Sequence, residues 1–191
     1  MAVVGGSPFV LAAETSVIIA ANASVLLATI AALASQLGDP YLLLTLLVAL
    51  TVYDRERGLP VLAVTVGAFG LALVAETLLA VPARSTPPPV PAESLPSLVR
   101  PVYELATAKD GYALPSGSVV GATVVWPQLA WTGSVATRRV RLVTALAVAA
   151  LVAWSRVFLG AHQPVDVLAG VALGAGWLLV VSGVKRGVGR N

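Results

Sequence analysis

The sequence predicts an all-α membrane protein, a bundle of six membrane-crossing helices forming one domain over residues 1–191, and three observations carry that reading. Hydrophobic residues make up 58% of the chain against 11% charged, with a mean hydropathy of +0.90. That is less than half the charge of an average soluble domain, so the surface cannot be clothed against water. Apolar runs near the roughly 20 residues that cross ~30 Å of hydrocarbon recur along the chain, and Lys and Arg collect in short connections on one side of them.

The first run extends from about Thr15 to Ser35. Met1 to Val10 carries no Lys or Arg, so a cleaved signal peptide is not expected and the first run is expected to stay as an anchor. The second, Pro40 to Tyr53, is too short to span comfortably alone. The third covers Val61 to Val81, the fourth Gly117 to Val135, the fifth Leu142 to Phe158 and the sixth Val165 to Val184. Six crossings put both termini on one side.

The connections orient the bundle. Arg55, Arg57, Arg138, Arg139, Arg141, Lys185, Arg186 and Arg190 fall on one side, eight of the twelve basic residues. That side is expected to be cytoplasmic. Arg84, Arg100, Lys109 and Arg156 fall on the other, with a long loop over residues 82–116. Seven of the thirteen prolines lie between Pro82 and Pro101, a composition that favours polyproline geometry and resists helix, so the loop is expected to form a semi-rigid strap over the outer face.

Composition also excludes. Without cysteine there is no disulfide, thiol nucleophile or thiolate metal site, and a single histidine leaves no histidine-rich metal centre. The net charge of +3 is spread over loops rather than gathered in a patch, which argues against a nucleic-acid partner.

Chemistry concentrates on the outer side. Between the fifth and sixth runs lie Arg156, His162 and Asp166, with Pro164 suited to a first helical turn. Titratable groups at a membrane boundary are costly unless used. A carboxylate beside an imidazole fixes its tautomer and supports positive charge on it, leaving the other nitrogen as nucleophile or base. Ahead of the fourth run, Ser116, Gly117 and Ser118 open a helix whose N–H groups and dipole attract an anion. Arginine with a helix N-terminus suits a phosphate. Taken singly, each has a structural alternative: Arg156 as an interfacial arginine, Asp166 as a first-turn acid, Ser116 as an N-cap.

The residues Ser155, Arg156, His162 and Asp166, at the spacing SRxxxxxHxxxD, with Pro115-Ser116-Gly117 upstream, resemble the membrane-bound type 2 phosphatidic acid phosphatases, which share a catalytic core with vanadium-dependent haloperoxidases. The family signature is KxxxxxxRP, PSGH and SRxxxxxHxxxD on six membrane helices with an outward-facing site. Here Ser118 stands for the histidine of PSGH. In the first motif Glu76 takes the lysine position and Ala83 the arginine position, with Arg84 one residue late; a literal Arg100-Pro101 has Glu93 seven residues before it.

The resemblance implies a hydrolase acting on a phosphorylated lipid or polyprenyl diphosphate in the cell membrane. His162 would form a phosphohistidine and Asp166 would orient it. Arg156, Ser116, Gly117, Ser118 and Arg84 would hold the phosphoryl oxygens, and no cofactor or metal is implied. Ser118 cannot protonate a departing alkoxide near neutral pH, which points to a diphosphate over a monoester. Because Ser118 and Glu76 replace catalytic residues, the alternative is a catalytically impaired relative that binds a phospholipid or acts as a structural membrane partner.

Overall fold

The computed structural model describes residues 25–83, 86–108, 111–133 and 135–188. Among them are seven α-helices and no strand: α1 Val25–Gln36, α2 Pro40–Tyr53, α3 Arg55–Leu79, α4 Arg100–Thr107, α5 Gly117–Thr132, α6 Arg138–Phe158 and α7 Pro164–Val188. All but α4 stand where an apolar run was expected. Of the first run, Thr15 to Ser24 lies outside the described residues.

Three of the helices, α3, α6 and α7, are each long and apolar enough to cross a membrane, and α1 with α2 qualifies as a pair bent by 47°. The bend follows from local chemistry. Asp39 caps α2, its carboxylate accepting the Leu42 N–H at 2.8 Å, and Pro40 begins the helix. Gly38 in the elbow lies so close to the Ser118 carbonyl that an added Cβ would sit 2.5 Å from its oxygen. The elbow is thereby pressed onto the first turn of α5.

Two helices begin earlier than hydropathy predicts. Asp54 accepts the Arg57 N–H at 3.2 Å and starts α3 at Arg55, and Thr137 accepts the Val140 N–H at 3.4 Å and starts α6 at Arg138. Caps of this kind satisfy N–H groups that have no partner within the helix. Pro60 lies near enough to the start of α3 to cost a single hydrogen bond. At the same end, Arg141 donates to the Ala130 and Ala136 carbonyls at 2.7 and 2.6 Å, and Arg138 lies 3.5 Å from the Trp131 ring centroid.

At the centre stands α5, which packs on α2, α3, α6 and α7. Small residues make this possible. Gly121 faces Leu43 and Phe69, while Gly170 and Gly174 of α7 lie against Ser116, Val119 and Thr123, the four-residue spacing that lets membrane helices approach closely. Two indoles add directional ties: Trp126 donates to the Leu37 carbonyl and Trp177 to the Val64 carbonyl, each at 2.8 Å. Leu and Val side chains such as Leu46, Val66, Leu73, Leu146, Leu168 and Leu179 are exposed. Small residues inside and large apolar ones outside is the arrangement a lipid environment selects.

The connection between α3 and α5 is more structured than its prolines predict. Its ends are pinned by an antiparallel bridge, with Ala113 N–H donating to Val81 O at 2.8 Å and Ala83 N–H to Gly111 O at 3.1 Å. Beyond the last of the clustered prolines the chain forms α4, whose first turn accommodates Pro101 without loss. Tyr103 and Ala106 of α4 pack with Leu95 against α1 and the end of α6. Tyr103 is 1% exposed, and its hydroxyl donates to Val90 O at 2.7 Å and accepts from Val90 N–H at 3.2 Å.

Candidate active site

The turn from α6 to α7 carries the central group. Gly160 takes φ +68° there, a left-handed conformation suited to glycine, and the His162 N–H donates to Arg156 O at 3.1 Å. This closes the turn with the arginine and histidine side by side. His162 Nδ1 lies 3.0 Å from the Ala113 carbonyl oxygen and 3.8 Å from Asp166 Oδ2. The proton therefore sits on Nδ1, donated to Ala113, and Nε2 keeps its lone pair.

Asp166 was expected to orient His162. It lies beside the ring and also accepts the Gln163 N–H, at 2.8 Å, the reciprocal half of a capping box at the start of α7. From there its charge bears on the imidazole at 3.8 Å, while the Ala113 carbonyl holds the ring. Asp166 is 4% exposed, and its own carbonyl accepts the Ser116 N–H at 3.0 Å. One residue thus ties the start of α7 to the start of α5.

His162 is largely withdrawn from water. Burial pushes its imidazole below the ordinary value of 6.5, and Arg156 adds to that, outweighing the support of Asp166 and the Ala113 carbonyl. At neutral pH it is uncharged, the form a nucleophile requires.

His162 lines a cavity of about 410 Å³ with Arg156, Glu76, Gly117, Ser118 and Ala83. Arg156 reaches it from the last turn of α6, donating to Ala106 O at 3.0 Å, and its Nε is buried without a partner. Asp39, at the α1–α2 elbow, is its anionic neighbour. Glu76 does not turn away: it lines the cavity from α3. Ser116, fully buried, does not line the cavity: its N–H is donated to Asp166 O, and its Oγ is buried without a partner and makes no cap bond. Arg84 lies outside the described residues. Arg100 donates to Glu93 O at 3.3 Å and does not line the cavity. Among the described residues no three His, Asp or Glu side chains gather as a metal site.

Three participants are invisible to motif reading. The Ala113 and Ala106 carbonyls carry no side-chain signal. Asp39 is legible only as the cap before Pro40. The basic helix ends, Arg55 and Arg57 on α3 and Arg138, Arg139 and Arg141 on α6, lie at the opposite end of the bundle from His162.

Two solved structures share this fold. A transmembrane PAP2 type phosphatidylglycerolphosphate phosphatase from Bacillus subtilis superposes with a TM-score of 0.77 at 22% identity, over 96% of this chain and 89% of that one. Aquifex aeolicus LpxE does so with a TM-score of 0.65 at 20% identity, over 94% and 98%. No curated protein matches the chain. The family model of the PAP2 superfamily matches residues 62–188, from the interior of α3 to the end of α7 and across every described wall of the cavity but the α1–α2 elbow; the chain belongs to the PAP2 superfamily.

Proposed function

We propose that this protein is an integral membrane phosphatase that removes phosphate from a phosphorylated lipid or polyprenyl diphosphate through a phosphohistidine on His162. The observation that carries this reading is the pairing of His162 Nδ1 with the Ala113 carbonyl at 3.0 Å, which commits Nε2 to the cavity shared with Arg156 and the first turn of α5. Nε2 attacks phosphorus and the P–O bond to the leaving group breaks, at the lipid oxygen in a monoester and at the bridging oxygen in a diphosphate. The imidazole becomes cationic, supported by the Ala113 carbonyl and the Asp166 charge. The phosphoryl oxygens accept from Arg156 and from the N–H groups of Gly117 and Ser118, where the α5 dipole is positive. Water then attacks phosphorus and the electron pair of the P–N bond returns to Nε2.

Arg84 follows cavity-lining Ala83 in the chain and is proposed as a further phosphate ligand. The bundle end opposite the basic helix termini is proposed to face outward, with the C-terminus of α7 cytoplasmic. Phosphate release from lipid mono- and diphosphates by the detergent-solubilised protein tests the reading. His162→Ala should abolish release, and unchanged release in that variant would overturn the assignment.

Serine at 118 and glutamate at 76 favour a second reading, a silent relative that binds a phosphorylated lipid without cleaving it. Saturable binding with no turnover by the wild type would select it.

A further inference from the structure

An alkyl phosphate monoester releases an alkoxide, a strong base that needs a proton as it departs. Ser118 cannot give one, and the other groups on the cavity wall divide sharply. The aliphatic hydroxyls of Thr77 and Ser118 are too weakly acidic to serve, Arg156 donates to Ala106, and His162 is the nucleophile. Among the described lining residues Glu76 is the one carboxyl group.

Its position fits the task. Glu76 enters from α3, whereas Arg156 and His162 enter from the end of α6 and the turn after it, so acid and nucleophile come from different walls of one cavity. Glu76 Oε1 lies 3.7 Å from the point a Cβ on Gly117 would occupy. The carboxyl therefore abuts the first turn of α5, one residue from the serine that replaces the expected donor, and the missing side chain of Gly117 leaves that space open.

Charge then decides its protonation. The groups facing the cavity are Arg156 from α6 and His162 from the turn, with Asp39 beside Arg156 at the elbow and Asp166 behind His162. A bound phosphate neutralises Arg156 and the positive helix end. It also brings a dianion beside a carboxylate, and two such anions hold a proton between them.

We propose that Glu76 is the general acid of this site, protonating the departing oxygen of a lipid phosphate monoester in place of the histidine absent at position 118. The assignment rests on the phosphatase reading above and, within it, admits alkyl monoesters as well as diphosphates as substrates. In the first half-reaction Nε2 bonds to phosphorus, the P–O bond breaks and the Glu76 proton passes to the alcohol. In the second, water attacks phosphorus as the P–N bond breaks, phosphate departs with both protons of that water, and the Glu76 carboxylate takes its proton back from solvent, which restores the starting enzyme.

The test compares wild type, Glu76→Gln, Glu76→Asp and His162→Ala in mixed micelles on two substrates: phosphatidate, with an alkoxide leaving group, and a polyprenyl diphosphate, whose leaving phosphate needs little protonation. Glu76→Gln should lower kcat on phosphatidate by about 10²-fold or more, leave the diphosphate rate within about threefold, and remove the fall of the phosphatidate rate at rising pH. Glu76→Asp should retain part of the phosphatidate activity, and its ratio of the two rates decides the matter if the glutamine variant does not fold. A wild type confined to diphosphates, or a glutamine variant that loses neither rate or both equally, overturns the role of Glu76 and spares the phosphatase reading. Failure of the wild type on both substrates, or activity surviving in His162→Ala, overturns both.

Discussion

Replacing Asp166 by asparagine separates charge from architecture at the nucleophile. Asparagine keeps an oxygen for the Gln163 N–H and leaves the backbone carbonyl that accepts from Ser116 untouched, so the start of α7 and its tie to α5 should survive. The negative charge, 3.8 Å from Nδ1 in the wild type, is gone. At that separation and an effective dielectric of about 20, a unit charge pair is worth roughly 4 kcal/mol. In the proposed mechanism the imidazole is neutral before attack and cationic after it, so nearly all of this acts on the barrier and corresponds to a slowing of about 10³-fold. Steady-state phosphate release measures it, with thermal unfolding as the control for structure. Asp166→Ala should show the same slowing with an added stability loss of about 1 kcal/mol from the missing cap. A folded Asp166→Asn protein within tenfold of wild type would mean that the Ala113 carbonyl alone supports the cation, and the electrostatic reasoning would fall.

Other expectations follow from single contacts. Because burial holds His162 neutral, the acid limb of kcat/KM should lie below pH 6.5. The unfolded chain takes up a proton there that the folded one resists, so stability should fall as pH drops through and below 6.5, and His162→Gln should flatten that slope in pH-dependent melts. Gly170→Ala places a Cβ 2.9 Å from the Ser116 carbonyl oxygen, and the helices must part by about half an ångström to reach ordinary contact. Melting should report a loss of about 1–3 kcal/mol, whereas Gly176→Ala, with nothing within 4 Å, should be neutral or stabilising. Tyr103→Phe strands the Val90 N–H and C=O in a half-buried site and should cost about 1 kcal/mol by the same measurement.

What could be read in advance is what is local in the chain. The interval from Arg156 through His162 to Asp166 spans one turn between two helices, so its residues meet with little help from the rest of the fold, and Ser116 to Ser118 announces a helix start by composition alone. Hydropathy located the runs but stopped at charged residues, and so missed that Asp54 and Thr137 carry α3 and α6 back to Arg55 and Arg138. The elbow at Gly38 required knowing what it presses against, the Ser118 carbonyl far along the chain. The backbone partner of His162 carries no side-chain signal: Ala113 stands far from it in the chain and is tied in place by its bridging hydrogen bond to Val81.

That bridge and its neighbour give the extramembrane excursion an unexpected authority. The carbonyl that holds the His162 ring belongs to Ala113 and the one that braces the Arg156 guanidinium belongs to Ala106, both on the stretch of chain between α3 and α5. Under the proposed mechanism, a protease nick or an antibody that displaces this stretch should disturb the attacking nitrogen and the phosphate anchor together.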